Sequence, residues 1–186
     1  MRIISGTFRG TKLYTLDGDE VTRPTLDRIK EPLFNILQFK FEDAVCLDLF
    51  AGCGALGLEA ISRGASKSYF CEINRKAQEI IEKNIEKTRA QDKAVLIKKD
   101  FEHALDEIKT KKIDIVFLDP PYKTDLIYKS LKKILELKLL NNDATIVAET
   151  DEPERVLKEI ENLNVRITDT RKYGRVTLMF IAEETA

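Results

Sequence analysis

From residue 44 onward, short apolar runs alternate with amphipathic stretches. The runs cover 44–49 (AVCLDL), 68–72 (SYFCE), 94–98 (AVLIK), 113–119 (IDIVFLD) and 144–149 (ATIVAE). They are brief and rich in β-branched and aromatic residues, as strands buried on both faces should be. Between them, apolar positions return every three or four residues. Ala77, Ile80, Ile81 and Ile85 mark one helix, with Asn74 as its cap. Phe101, Ala104, Leu105 and Ile108 mark another, and Ile127, Leu131, Ile134 and Leu135 a third. Val156, Leu157, Ile160 and Leu163 follow Pro153, a residue at home in a first helical turn. Gly64, after Ser62-Arg63, reads as a helix stop.

Strand–helix–strand alternation implies right-handed crossovers and a parallel sheet covered on both faces. The last two runs, 165–170 and 176–182, lack an intervening helix. They read as an antiparallel hairpin joined by residues 171–175. The expected fold is therefore α/β: a Rossmann-like, doubly wound, seven-stranded and mostly parallel sheet with a C-terminal antiparallel hairpin.

Residues 1–42 break the alternation and form a small extension to a main domain at 43–186. Runs 3–7 and 11–16 suggest a hairpin turning at Arg9-Gly10. An amphipathic helix then carries Ile29, Leu33, Phe34 and Leu37. Pro32 falls within it, and proline inside a helix costs on the order of 3 kcal/mol. Either the helix starts near Lys30-Glu31 or it kinks at Pro32.

The chain has 186 residues, 43% hydrophobic and 34% charged. That suits one domain with a real core and excludes a disordered or fibrous chain. No run approaches the roughly 18–20 apolar residues of a membrane span. The opening MRIISGTFRG has no apolar core of a secretory signal. The net charge of −1, from 31 Lys+Arg and 32 Asp+Glu, leaves nucleic-acid binding open, because a local basic patch can hide in a neutral total. The first 14 residues hold Arg2, Arg9 and Lys12 and no acid. Cys46, Cys53, Cys71 and the lone His103 form no metal or disulfide pattern. No metal is expected, and a reducing, cytoplasmic setting fits. Cys46 and Cys71 read as buried small hydrophobes, and His103 as a surface or packing residue.

Two constellations carry chemistry. Asp48-Leu49-Phe50-Ala51-Gly52-Cys53-Gly54-Ala55-Leu56-Gly57 bridges the first strand and the next helix. Ligands of doubly wound sheets bind at such strand ends, and glycines there admit close backbone approach. Gly52, Gly54 and Gly57 satisfy G-x-G-x-x-G, and Glu72, 20 residues after Gly52, suits a ribose hydroxyl. Asp48 is badly sited beside a pyrophosphate but well sited for an ammonium group. S-adenosylmethionine has an ammonium, a carboxylate and a ribose, and no phosphate. Asp100 would accept from an adenine amine, with Phe101 or Ile73 against the ring; as a helix cap it would serve equally well.

The second constellation is Asp119-Pro120-Pro121-Tyr122, directly after the apolar IDIVFL. Two prolines hold the strand exit extended and rigid. Asp119 and the proline carbonyls offer acceptors, and Tyr122 a flat face. Together they suit a planar ring bearing an amino group.

With both in order, the chain resembles a class I S-adenosylmethionine-dependent methyltransferase. DLFAGCGALGLEAISRGA (48–65), DPPY (119–122), Arg23-Pro24-Thr25 with Arg28, Phe34-Asn35, Tyr173-Gly174 and the opening IISGTFRGTKL are similar to a narrower family. That family is RsmD, the bacterial 16S rRNA guanine-N2 methyltransferases, and the resemblance runs from about residue 2 to 180. It implies that Asp48, Phe50, Ala51, Gly52 and Gly54 contact the methionine part of the cofactor, that Glu72 holds the ribose, and that Asp100 lies near adenine. It further implies a flipped guanine at Asp119–Tyr122 and an N-terminal hairpin on RNA. On that reading Arg2, Arg9, Lys12, Arg23 and Arg28 contact phosphates of 16S rRNA or of the small subunit. A monomer is the default expectation. Cys53 stands where the family commonly has Ser. Other readings stay open: an amino methyltransferase of another RNA or of DNA adenine N6, a nicotinamide-dependent oxidoreductase, or a non-catalytic RNA-binding protein.

Overall fold

Parallel strands with apolar faces need helices on both sides, and the chain supplies them in strict alternation. The computed structural model describes residues 1–16 and 24–184, the side chains of 24–28 excepted. The strands are Val45–Asp48 (β1), Lys67–Cys71 (β2), Ala94–Ile97 (β3), Ile113–Leu118 (β4), Leu140–Thr150 (β5), Val165–Tyr173 (β6) and Val176–Glu183 (β7). The helices are Pro24–Ile36 (α1), Ala55–Ser62 (α2), Arg75–Thr88 (α3), Phe101–Glu107 (α4), Leu126–Glu136 (α5) and Pro153–Ile160 (α6). Among the described residues, seven strands form one sheet in the order β3-β2-β1-β4-β5-β7-β6. β1 through β5 pair in parallel, and β7 runs antiparallel to both β5 and β6. The expected α/β architecture is the observed one.

Apolar side chains of α4, α5 and α6, including Leu105, Leu131, Ile134, Val156 and Ile160, form one core cluster with strand residues. A second joins Leu33 and Phe34 of α1 to Phe117 and Phe180, and a third joins Leu58 and Ile61 of α2 to Phe70 and Ile81. Asn74 caps α3 as expected, accepting from the amides of Lys76 and Ala77. Cys46 and Cys71 are buried, and desolvation raises both thiols.

Several boundaries differ from the sequence reading. β5 starts four residues early. Its polar Asn141 donates to Asp114 Oδ1 at 2.6 Å, and Ile113 pairs with Leu140 before a register shift. The C-terminal hairpin is tighter than expected, because pairing continues to Tyr173↔Val176 and leaves only Gly174-Arg175 as the turn. α1 starts at Pro24 and runs through Pro32, which excludes a start near Lys30.

The N-terminal hairpin is also reduced. It has a single bridge, Arg2↔Lys12, and 3–7 and 11–16 form no regular strands. Backbone bonds from Ile3 to Thr11, Gly10 to Ile3 and Leu13 to Met1 close the hairpin, and a set of buried polar side chains fastens it to the main domain. Glu59 of α2 is fully buried and accepts from the amides of Ile4 (2.8 Å) and Ser5 (3.0 Å). It also pairs with Lys30 of α1 and with Arg63, each at 2.9 Å. Lys30 Nζ in turn donates to the Arg2 carbonyl. Ser62 Oγ accepts from the Phe8 amide and donates to the Ser5 carbonyl. Gly6 passes so close to α2 that a Cβ would lie 1.8 Å from the Ser62 carbonyl oxygen, with φ at +82°. Only glycine suits that crossing. Asn84 of α3 fastens the far end, exchanging hydrogen bonds with the Tyr14 backbone.

Burial acts to raise the Glu59 pKa, but Lys30, the Ile4 amide and Arg63 outweigh it and the net shift is downward. A depressed folded pKa makes a contribution that is present above the ordinary value of 4.5 and lost as pH falls through the folded one. Glu59→Ala leaves Lys30 buried without its partner and is expected to cost about 3–5 kcal/mol in urea unfolding. The difference from wild type should shrink on acidification.

Candidate active site

The strand order reverses between β1 and β4, and the loops leaving the carboxyl ends part there. A cavity of about 680 Å³ opens at that place. Phe50, Gly52, Glu72, Ile73, Asp100 and Phe101 line one side, and Asp119, Pro120, Pro121, Tyr122 and Glu149 the other.

The first wall is the glycine loop between β1 and α2. Gly54 precedes α2 with φ at +79°. At Gly57 a Cβ would meet the Phe70 ring at 2.3 Å and Ser68 Oγ at 2.7 Å. The third glycine of the motif therefore lets α2 lie directly on β2. Glu72, at the end of β2, ties the loop down. Its Oε2 accepts from the Gly52 amide at 2.9 Å and its Oε1 from the Asn74 amide at 2.7 Å. Asp48 is 1% exposed and accepts from the Gly57 amide at 3.1 Å. Desolvation pushes its pKa up to about 7; the Gly57 hydrogen bond opposes that shift and the Glu72 charge adds to it. Asp48, Ala51 and Gly54 are not among the lining residues: Asp48 is buried at the end of β1, and Ala51 and Gly54 are buried members of the loop itself.

Asp100 lines the cavity and also caps α4, accepting from the His103 amide at 3.1 Å and meeting His103 Nδ1 at 2.7 Å. Those contacts, the amide first, lower its pKa. Phe50 and Phe101 pack 6.0 Å apart at 38°. Ile73 stands exposed at the rim, so both candidates for the adenine face border the cavity.

The second wall begins where β4 ends. Pro120 is buried and Pro121 exposed. The two carbonyls differ in their surroundings: Pro121's accepts from Thr124 Oγ1 at 2.8 Å, which occupies one of its two lone pairs. Desolvation, then the charges of Glu149 and Asp48, raise the Asp119 pKa well above the ordinary 3.8. Tyr122, 40% exposed, donates its hydroxyl to Glu149 Oε1 at 2.7 Å. Burial, then this hydrogen bond, raises its own pKa. Glu149 belongs to neither sequence motif. Its signal was position: it ends the apolar run ATIVAE as Glu72 and Asp119 end theirs.

Arg2, Arg9 and Lys12 are exposed on the N-terminal segment, away from the cavity lining. Arg23 and the side chain of Arg28 lie outside the described residues. Among the described residues, no group of three or more His, Cys, Asp or Glu is arranged to hold a metal ion. Nor, among them, is any helix long and apolar enough to cross a membrane.

A family model described as Conserved hypothetical protein 95 matches residues 1–182. The chain is 37% identical to "Ribosomal RNA small subunit methyltransferase D" of Haemophilus influenzae over 156 residues, covering 81% of this chain and 79% of that one. It is likewise 37% identical to the protein of that name from Escherichia coli over 153 residues, covering 81% and 75%. Among solved structures, the Escherichia coli protein yhhF superposes with a TM-score of 0.84 at 32% identity, covering 100% of this chain and 99% of that one. A conserved hypothetical protein of Streptococcus pyogenes does so with a TM-score of 0.75 at 37% identity, covering 83% and 95%.

The packing at Gly57 is directly testable. Gly57→Ala should destabilise the fold by about 1–3 kcal/mol through overpacking against Phe70, read as a lowered Tm.

Proposed function

The chain belongs to the Conserved hypothetical protein 95 family, that of the rRNA small subunit methyltransferases D, and from that premise we propose that it transfers a methyl group from S-adenosylmethionine to the exocyclic N2 of a guanine in 16S ribosomal RNA. The observation that carries this reading is that one cavity has two unlike walls. One wall joins carboxylates at strand ends to apolar faces, a donor set that suits a ribose, an adenine and a cation. The other joins acceptors to an aromatic face, which suits an aminated ring.

Within the first wall, Glu72 accepts from ribose hydroxyls with the lone pairs its two backbone bonds leave free. Asp100 meets the adenine amine, and Phe101 and Ile73 its faces. Phe50 and Gly52 border the methionine end, Ala51 and Gly54 shape the loop, and Asp48 stands behind it with its charge toward the ligand's cationic end. When bound, the cofactor supplies an electrophilic sulfonium methyl group.

The chain's main task is to present the nucleophile. The guanine amine has its lone pair delocalised into the ring. Asp119 and the Pro120 carbonyl accept its two hydrogens and favour a pyramidal nitrogen with the lone pair exposed. Positioning of this kind supplies several kcal/mol. Asp119, with its raised proton affinity, is suited to take the proton that the alkylated amine sheds. Tyr122 replaces the stacking that the flipped base loses. The extension 1–42 serves the RNA, with Arg2, Arg9, Lys12, Arg23 and Arg28 on phosphates. We assign the protein to the cytoplasm as a monomer acting on small-subunit RNA.

The decisive test incubates the protein with labelled S-adenosylmethionine and undermethylated 16S rRNA and maps the label, which is expected on one guanine N2. Asp119→Ala should lower turnover by on the order of 100-fold or more while cofactor binding survives; near-normal turnover would remove its assigned role. Asp48 gives a pH signature. Its free-state pKa of about 7 leaves it largely neutral below neutrality, whereas a cationic ligand favours the carboxylate. Cofactor affinity should therefore rise with pH up to about 7 and level off above it. Asp48→Asn should abolish that dependence and weaken binding by about tenfold or more by calorimetry, a loss of about 1.4 kcal/mol.

A further inference from the structure

The Asp119–Tyr122 socket grips an exocyclic amine, yet guanine, adenine and cytosine all carry one. What separates them is the ring nitrogen beside it. Guanine presents an N1–H donor there; adenine N1 and cytosine N3 present a bare lone pair. Glu149 shares the cavity wall with Asp119 and Tyr122. It is the next-to-last residue of β5, the strand that pairs with β4. Its Oε1 is held by the Tyr122 hydroxyl at 2.7 Å, so the carboxylate is fixed in place by the residue that stacks the base. Tyr122 is the one hydrogen-bond donor to Glu149 among the described residues, and Asp119 has none there. Two partly desolvated carboxylates thus stand together with more acceptor capacity than the protein fills.

We propose that Glu149 selects guanine by accepting its N1–H while Asp119 holds the neighbouring amine. This assignment rests on the methyl-transfer reading above. A base with two donors side by side satisfies both acids at once. Burial raises the proton affinity of each acid, and adjacent donors are what keep both ionised. A base with a lone pair at that position sets acceptor against acceptor in a half-closed site, where an unpaired buried polar group is costly.

The test uses 2-aminopurine, which keeps the exocyclic N2 amine but has an N1 lone pair in place of N1–H. Once the wild-type target is mapped with labelled cofactor, RNA fragments spanning it are made with guanine or 2-aminopurine at that nucleotide. Wild type is expected to prefer guanine in kcat/KM by at least about tenfold, the discrimination a well-formed base contact provides. In Glu149→Gln, whose amide can donate to N1, the preference should fall to within about threefold. Tyr122→Phe keeps the ring and loses the hydroxyl, so it should slow both substrates and retain most of the preference. If Glu149 only props up Tyr122, its substitution slows both substrates equally, and an unchanged ratio overturns the proposal. Equal use of the two bases by wild type overturns it without any variant. A wild-type label on another base or atom, or no label, overturns the methyl-transfer reading itself and this proposal with it.

Discussion

A parallel sheet whose strand order reverses at one seam cannot close that seam with its own loops. The chain leaving β1 turns to one face, the chain leaving β4 turns to the other, and the gap between them is filled by neither. Both sequence motifs that carry chemistry meet around that gap. The glycine loop, the acids ending β2 and β5 and the proline-stiffened exit of β4 are each unremarkable alone. They form a site because the sheet delivers five strand ends to one rim. The apolar clusters on the two faces keep the sheet, and hence the rim, in place.

Acids crowd the rim and the strand end behind it. Asp48, Asp119 and Glu149 all have raised proton affinities, each chiefly through desolvation. Glu59, just behind the glycine loop, shifts the other way because Lys30, Arg63 and two backbone amides compensate it. The contrast separates the two kinds of buried acid. Glu59 is satisfied by the protein and has a structural task, whereas the acids of the cavity are left partly unsatisfied, as a site that receives donors requires.

The sheet was legible because period and residue type agreed: each apolar run became a strand, and each amphipathic stretch a helix. The N-terminal hairpin was legible only in part: Ile3 pairs with Thr11 and Leu13 with Met1 through the backbone, but from Ile4 and Ser5 onward the amides turn to Glu59 instead of a neighbouring strand. The early start of β5 was hidden by Asn141-Asn142-Asp143, polar residues that periodicity assigns to a loop. At the site, the glycines and the DPPY tetrapeptide could be read from spacing alone. Glu149 could not, since its partner Tyr122 is 27 residues away and only the pairing of β4 with β5 brings them together. The bond from Thr124 to the Pro121 carbonyl depends on a local turn that no pattern of apolar positions encodes.

α2 begins at the glycine loop and ends under Gly6 and Ser5. Its eight residues make a rod of about 12 Å. One end frames the cavity's glycine loop, and the other is riveted to the segment bearing Arg2 and Arg9. A rod that short has no joint along its length. On the proposed reading, the arm's seat on RNA and the cavity's hold on its cofactor are two ends of one rigid piece.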